Sequence, residues 1–219
     1  SGKKIFYNVW EKTRYPDEFF EKLKTADQIW VPTHWQNNCL LKQGISREKV
    51  KIVPEGIDSE ELFPENLQNN DKFTFLILGK WEKRKSTKEL VKAFAELFGD
   101  NDKIELLLSC SNNFPDDGHK STEERLKEIN VNCKNIKIID FQERREVVKM
   151  IKSSHVFLYC ARSEGWNLPL IESLACGIPS IYSNCSGQLE FAEGLGVPVK
   201  IHGEVLDQND PMFGYYDPD

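Results

Sequence analysis

Strand-like and helix-like stretches alternate along almost the whole of this 219-residue chain. The β-rich runs are KIFYNVW, DQIWVP, KVKIVP, FTFLILG, KIELLLS, NIKIID, HVFLYC, PSIYS and VPVKI. Several are apolar without interruption, as a strand must be when both of its faces are covered. The stretches between them carry helix start and stop signals. Ser86 with Glu89 and Ser121 with Glu124 have the spacing of capping boxes. LKQG and ACGIP place Gly44 and Gly177 where a helix ends, the second followed by Pro179. Strands that alternate with helices pair in parallel, so the expected fold is α/β with a doubly wound, Rossmann-like sheet.

The texture changes over residues 57–72, which are acidic, contain Pro64 and lack a strand-like run. This stretch reads as a linker. Residues 73–219 follow it with six strand-like runs, enough for one complete Rossmann-like unit. Residues 1–56 hold only three, too few for an equivalent unit, and are expected to be the tail of a truncated α/β domain.

Composition narrows the function. Hydrophobic residues make up 39% and charged residues 29%, as in an ordinary globular protein, and no run is long enough for a transmembrane segment. A net charge of −6 disfavours a nucleic-acid partner. The six cysteines form no C-x-x-C pair, which points to reduced thiols and a cytoplasmic setting, with peripheral membrane attachment left open.

In an open parallel sheet, ligands bind beyond the carboxyl ends of the strands. Three loops fall there: GKWEKRK, SCSNNF and ARSEGWN. The first lacks G-x-G-x-x-G, but offers Gly79 for a close turn, the cations Lys80, Lys83, Arg84 and Lys85, and a helix expected to begin near Ser86. Cations beside a helix N-terminus suit a diphosphate. A solvated basic turn is the competing reading. The third loop leads into a helix at Asn167 or Leu168, with Asn167 as cap and Pro169 in the first turn. That helix is apolar nearly all round and should be buried, yet it carries Glu172. Its carboxylate either receives two ribose hydroxyls or complements the dipole and pairs with a nearby cation. Glu164 is open to a plain reading as a surface loop acid.

EGWNLPLIESLACGIP resembles the signature of the group 1 (family 4) retaining glycosyltransferases, which have the two-domain GT-B fold. VPEGID, GKWEKRKS and the upstream WEKTRYPDEFFEKLKTADQIWVPTHW are similar to further stretches of that family, in the same order, so the resemblance runs from about Val9 to Ala192. It implies a nucleotide-diphosphate sugar as donor substrate, with no cofactor and no metal. The acceptor, whether glycan, lipid or protein, stays open. Glu164 would bind the donor sugar near its reacting end and Glu172 the ribose. Lys80 and Lys85 would neutralise the diphosphate, aided by Gly79, Gly165 and the backbone N–H groups of Trp166, Asn167 and Leu168. Glu164, Lys85 and Lys80 would carry catalysis, through positioning and stabilisation of the departing diphosphate.

The chain also departs from the family pattern. Lys80 stands for a more usual Arg, Ser86 and Asn167 for Gly, and Phe141-Gln142 follows a strand where Gly is frequent. The family's glycine-rich N-terminal loop and catalytic-site His have no counterpart, since His34 lies in the wrong segment. The expectation is therefore a chain that binds donor but transfers sugar at background rates, with a missing N-terminal domain. A non-catalytic nucleotide-sugar-binding module is the alternative. A metal-dependent transferase of the other common fold needs an Asp-x-Asp closing a strand, and neither Asp100-Asn101-Asp102 nor Asp217-Pro218-Asp219 does so.

Overall fold

The computed structural model describes residues 2–65, 71–110, 120–206 and 214–217. The SCSNNF loop lies outside them beyond Cys110. The first unit is a three-stranded parallel sheet in the order β1 (Ile5–Tyr7), β2 (Gln28–Val31), β3 (Val50–Ile52). Its crossovers are α1 (Asp17–Lys24) and α2 (His34–Gln43). Thr33 caps α2 by accepting from the Gln36 N–H at 3.1 Å, and Gly44 ends it in the left-handed conformation at φ 106°. A small core of its own, including Phe20, Leu23, Ile29, Val31 and Leu40, holds these elements together.

The second unit is a six-stranded parallel sheet. Its strands are β4 (Phe73–Gly79), β5 (Ile104–Cys110), β6 (Ile136–Ile138), β7 (Val156–Tyr159), β8 (Ser180–Ser183) and β9 (Val197–Val199). They lie in the order β6-β5-β4-β7-β8-β9. Counted from β4, this is the 3-2-1-4-5-6 order of the Rossmann fold, which reverses between β4 and β7. The crossovers are α3 (Thr87–Phe98), α4 (Thr122–Glu128), α5 (Arg144–Ser153), α6 (Leu168–Ala175) and α7 (Leu189–Ala192).

Side chains alternate between two cores because successive residues of a strand point to opposite faces. Leu76, Phe157 and Tyr159 join one core with Ile151 of α5 and Leu170 of α6. Ile77, Leu106, Leu108 and Leu158 join the other, with Val91 and Phe94 of α3. Leu62, from the acidic stretch before β4, is buried in the first of these cores.

Three local expectations fare differently. Ser121 and Glu124 form the capping box at α4. Ser86 and Glu89 do not form one at α3. Ser86 follows a 3-10 turn over Lys83–Lys85 and sits left-handed at φ 51°, with no side-chain cap bond. From this left-handed backbone the short serine hydroxyl makes no bond to the first-turn N–H groups that an N-cap side chain ordinarily accepts from. The helix α6 is also not buried all round: Leu168 is 45% exposed, while Leu170 and Ser173 are buried. Only one face of α6 meets the sheet, and its first turn opens toward the strand ends. Beyond β9 a hairpin of β10 (Gly203–Leu206) and β11 (Gly214–Asp217) pairs antiparallel, which the alternation did not foretell.

Candidate functional site

The loops after β4 and β7 leave the sheet side by side, at the point where the strand order reverses. The first carries Lys80 to Lys85 and the second carries Glu164. Far from being a surface acid, Glu164 is only 3% exposed. Its Oε1 accepts from Lys85 Nζ at 2.5 Å and from the Tyr159 hydroxyl at 2.9 Å, and faces an Arg84 guanidinium nitrogen at 2.9 Å. Lys85 also donates to the Tyr159 hydroxyl. Among the described residues these contacts all fall on Oε1 and none falls on Oε2.

Burial alone would raise the Glu164 carboxyl pKa, but the Lys85 and Arg84 charges outweigh it and hold the group below its ordinary value. Burial and the Glu164 charge push the Tyr159 phenol well up, keeping it protonated and a donor. The site is thus an ionised, desolvated carboxylate with its cations in place, a pairing that is costly to break from one side.

The Glu164 backbone is pinned from a third element. Its N–H donates to Ser186 Oγ at 2.8 Å and its carbonyl accepts from the Gly187 N–H at 2.8 Å. A Cβ on Gly187 would lie 2.2 Å from the Gly165 carbonyl oxygen. A Cβ on Gly165 would lie 2.6 Å from Val9 Cγ1 and 2.8 Å from the Trp10 carbonyl. Gly165 is therefore required for close packing against the first unit, whatever else it does.

Asn167 caps α6 as expected, its Oδ1 accepting from the Leu170 N–H at 3.2 Å. Its backbone is left-handed at φ 88°, which suits a position where Gly is common. Its side-chain amide also donates to Gln188 Oε1 at 2.7 Å, so the cap is itself held in place. The expected row of free N–H groups is reduced. Pro169 has none and the Leu170 N–H is used by the cap, which leaves Leu168 as the first-turn donor. Trp166 is buried against Phe191, with ring centroids 5.0 Å apart.

Glu172, one turn into α6, has a cation beside it. Arg144, the first residue of α5, bonds Glu172 Oε1 at 2.7 Å and Glu61 Oε2 at 2.9 Å. The pairing with a nearby cation is thus present, and Oε2 of Glu172 takes no part in it. Burial pushes its pKa up, opposed by Arg144. Lys80 is exposed at the mouth of the loop, and its carbonyl accepts from the Thr87 hydroxyl at 3.0 Å. Gly79, at φ 144°, makes the turn that sends this loop across the end of β7.

The structure thus brings Lys85, Glu164, Gly165, Trp166, Asn167 and Leu168 together and sets Glu172 on the next turn of α6. Sequence reasoning missed Tyr159, Ser186, Gln188, Glu11, Arg144 and Glu61. A phenol closing a buried strand was a usable signal for Tyr159. The others are fixed only by tertiary contact.

Residues 58–212 match the family model described as "Glycosyl transferases group 1". Among known proteins, a putative glycosyltransferase 48 of Sulfolobus islandicus filamentous virus is 28% identical over 123 residues, covering 49% of this chain and 39% of that protein. The GtfA subunit of a Streptococcus pneumoniae UDP-N-acetylglucosamine–peptide N-acetylglucosaminyltransferase is 25% identical over 177 residues, covering 80% and 33%. The chain thus spans about a third of the length of these relatives. Among solved structures, Anabaena Alr3699/HepE in complex with UDP and glucose superposes with a TM-score of 0.71 at 13% identity, covering 90% of this chain and 57% of that one. Pneumococcal GtfA in complex with UDP and GlcNAc gives 0.62 at 20% identity, covering 81% and 37%. At such identities the likeness speaks for a shared fold.

Proposed function

The chain belongs to the group 1 glycosyltransferases, and from that membership we propose that it binds a nucleotide-diphosphate sugar and serves the transfer of that sugar, with retention, to an acceptor. The observation that carries the reading is the Glu164 carboxylate, buried and ionised between Lys85 and Arg84 at the strand-order reversal, with one oxygen uncommitted among the described residues. A desolvated, charge-paired acid in a cleft at such a point is the mark of a functional site.

In this reading Glu164 Oε2 accepts from a hydroxyl of the donor sugar. Lys85 stays close to the carboxylate and turns its remaining donor capacity to the diphosphate, with Lys80 closing over it from the exposed side. The Leu168 N–H and the positive end of α6 add to the same field. Glu172, oriented by Arg144 through Oε1, offers Oε2 to the ribose. Bond breaking leaves negative charge on the departing diphosphate, and these groups stabilise it where water would do so less well. The lysines supply the charge that a divalent ion supplies in metal-dependent transferases, so binding needs no metal. UDP is the first nucleotide to try, since HepE and GtfA were both solved with it.

A thermal-shift panel of UDP, GDP and ADP at millimolar concentration, each with and without a chelator, tests the reading. A ligand present at a hundredfold its Kd stabilises by about 2.7 kcal/mol, a shift of several degrees. Stabilisation by at least one nucleotide, insensitive to chelator, is expected. No shift with any of the three would overturn donor binding, and loss of the shift with chelator would overturn metal independence.

A further inference from the structure

Arg84 stands at the junction of the two sheet-bearing units, and its contacts go to both. Its side chain is 8% exposed. One terminal nitrogen donates to the Ser163 carbonyl at 2.8 Å and lies 2.9 Å from Glu164 Oε1. The other reaches Glu82 at 2.8 Å and Glu11 at 3.0 Å. Glu82 belongs to the same loop as Arg84. Glu11 comes from the first unit, some seventy residues earlier in the chain, in the segment that follows β1.

That segment meets the Glu164 loop a second time. Val9 and Trp10 lie so close over Gly165 that no side chain fits there. The Glu164–Gly165 backbone is therefore pressed by residues 9 and 10 while its carboxylate is reached, through one guanidinium, by residue 11. A lysine could not make this bridge, because it has no planar fork with which to hold two carboxylates on separate nitrogens.

We propose that Glu11 is a positioning residue for the donor site: through Arg84 it sets the orientation of the Glu164 carboxylate, so that the placement of the first unit governs recognition of the donor sugar. The proposal rests on the assignment of Glu164 to that sugar. Glu11 touches no substrate. It fixes the guanidinium, which with Lys85 and Tyr159 occupies Oε1 and leaves Oε2 to the donor sugar. Arg84 is accordingly not assigned to the diphosphate, although it lies in the middle of the basic loop, since its buried guanidinium donates to Ser163 and Glu82 and pairs with Glu164 and Glu11. The consequence is directional. Moving or neutralising Glu11 should disturb the sugar end of the donor and spare the nucleotide end, which Lys80 and Glu172 serve from other elements.

The test uses Glu11→Gln and Glu11→Asp, with Glu18→Gln as a control, since Glu18 pairs with Lys22 on the exposed face of α1. Two readouts are taken. Calorimetry gives the ratio of affinities for UDP-glucose and UDP, and for UDP-N-acetylglucosamine and UDP. Hydrogen exchange in the ligand-free protein follows the Glu164 and Gly187 amides, which hold the loop to Ser186 and to the Glu164 carbonyl. In Glu11→Gln we expect the affinity ratio to fall ~3–10-fold with UDP affinity unchanged, and both amides to exchange faster, as for loss of a charge-assisted bond. Glu11→Asp should recover part of both effects and Glu18→Gln should show neither. Unchanged exchange at both amides overturns the proposal, even if no nucleotide binds the wild type and the donor reading itself has failed. An equal loss of UDP and sugar-nucleotide affinity also overturns it, as that is the mark of general loosening.

Discussion

Glu164 and Glu172 are separated by seven residues and belong to one sequence motif, yet the fold gives them opposite surroundings. Glu164 is enclosed, with Lys85, Arg84 and Tyr159 on one of its oxygens. Glu172 is partly exposed and leans on one guanidinium that is shared with Glu61 and is itself 45% exposed. The first carboxyl is held below its ordinary pKa and the second pushed above it. Burial raises both, so the number and depth of the cations decides the sign. Two acids of one motif are thus tuned apart by residues outside it: an acceptor held charged below the ordinary carboxylate pKa at the sheet's reversal point and a softer one at the helix flank.

The sharpest way to break this comparison is to remove the cation from each. Arg84→Met leaves Glu164 buried with less compensation and should cost about 3–5 kcal/mol of stability, read from urea unfolding. Arg144→Met removes an exposed partner and should cost less than about 1 kcal/mol. Equal losses would mean that the two environments are not different in kind.

Next comes pH. The Glu164 carboxyl titrates lower in the folded chain than in the unfolded one, so it contributes stability above its ordinary pKa of 4.5 that drains away as the pH falls through the depressed value. Glu172 titrates higher when folded, so its contribution is present in acid and is lost as the pH rises through the raised value. Glu164→Gln should therefore flatten the acid limb of a stability–pH curve, whereas Glu172→Gln should leave that limb as steep or steeper. The same flattening in both would contradict the opposite shifts.

A smaller effect concerns the loop that brings Lys85 to Glu164. Ser86 holds a left-handed backbone at φ 51°, and its buried hydroxyl has no hydrogen-bond partner among the described residues. Ser86→Gly should raise stability by about 0.5–1 kcal/mol without moving Lys85. A loss of stability would show that the hydroxyl does something the structure does not record.

These contrasts also explain what could be read from the sequence. The six strands after residue 72 announce themselves because doubly covered strands such as FTFLILG are apolar throughout, and helix signals separate them. Capping at Asn167 and Ser121 was legible because the partner N–H lies three residues away. Ser86 carries the same local signal and fails, because the preceding 3-10 turn dictates its backbone. The β10–β11 hairpin was missed since GEVL is too short to show alternation and is a strand only by virtue of its partner. In the site, the motif residues were found through resemblance. Their tuning was not, since Arg84 reaches Glu164 across 80 positions and Arg144 reaches Glu172 across 28. No local pattern encodes such pairings.

The central claim is that the two carboxylates divide the donor between them. Calorimetric titration of UDP and UDP-glucose into wild type, Glu164→Gln and Glu172→Ala tests it most directly. The account predicts that Glu172→Ala weakens both ligands by about 1–3 kcal/mol through lost ribose hydrogen bonds, while Glu164→Gln weakens UDP-glucose and leaves UDP nearly unchanged. If the two substitutions weakened UDP alike, or if Glu164→Gln left UDP-glucose untouched, the division of labour would be wrong.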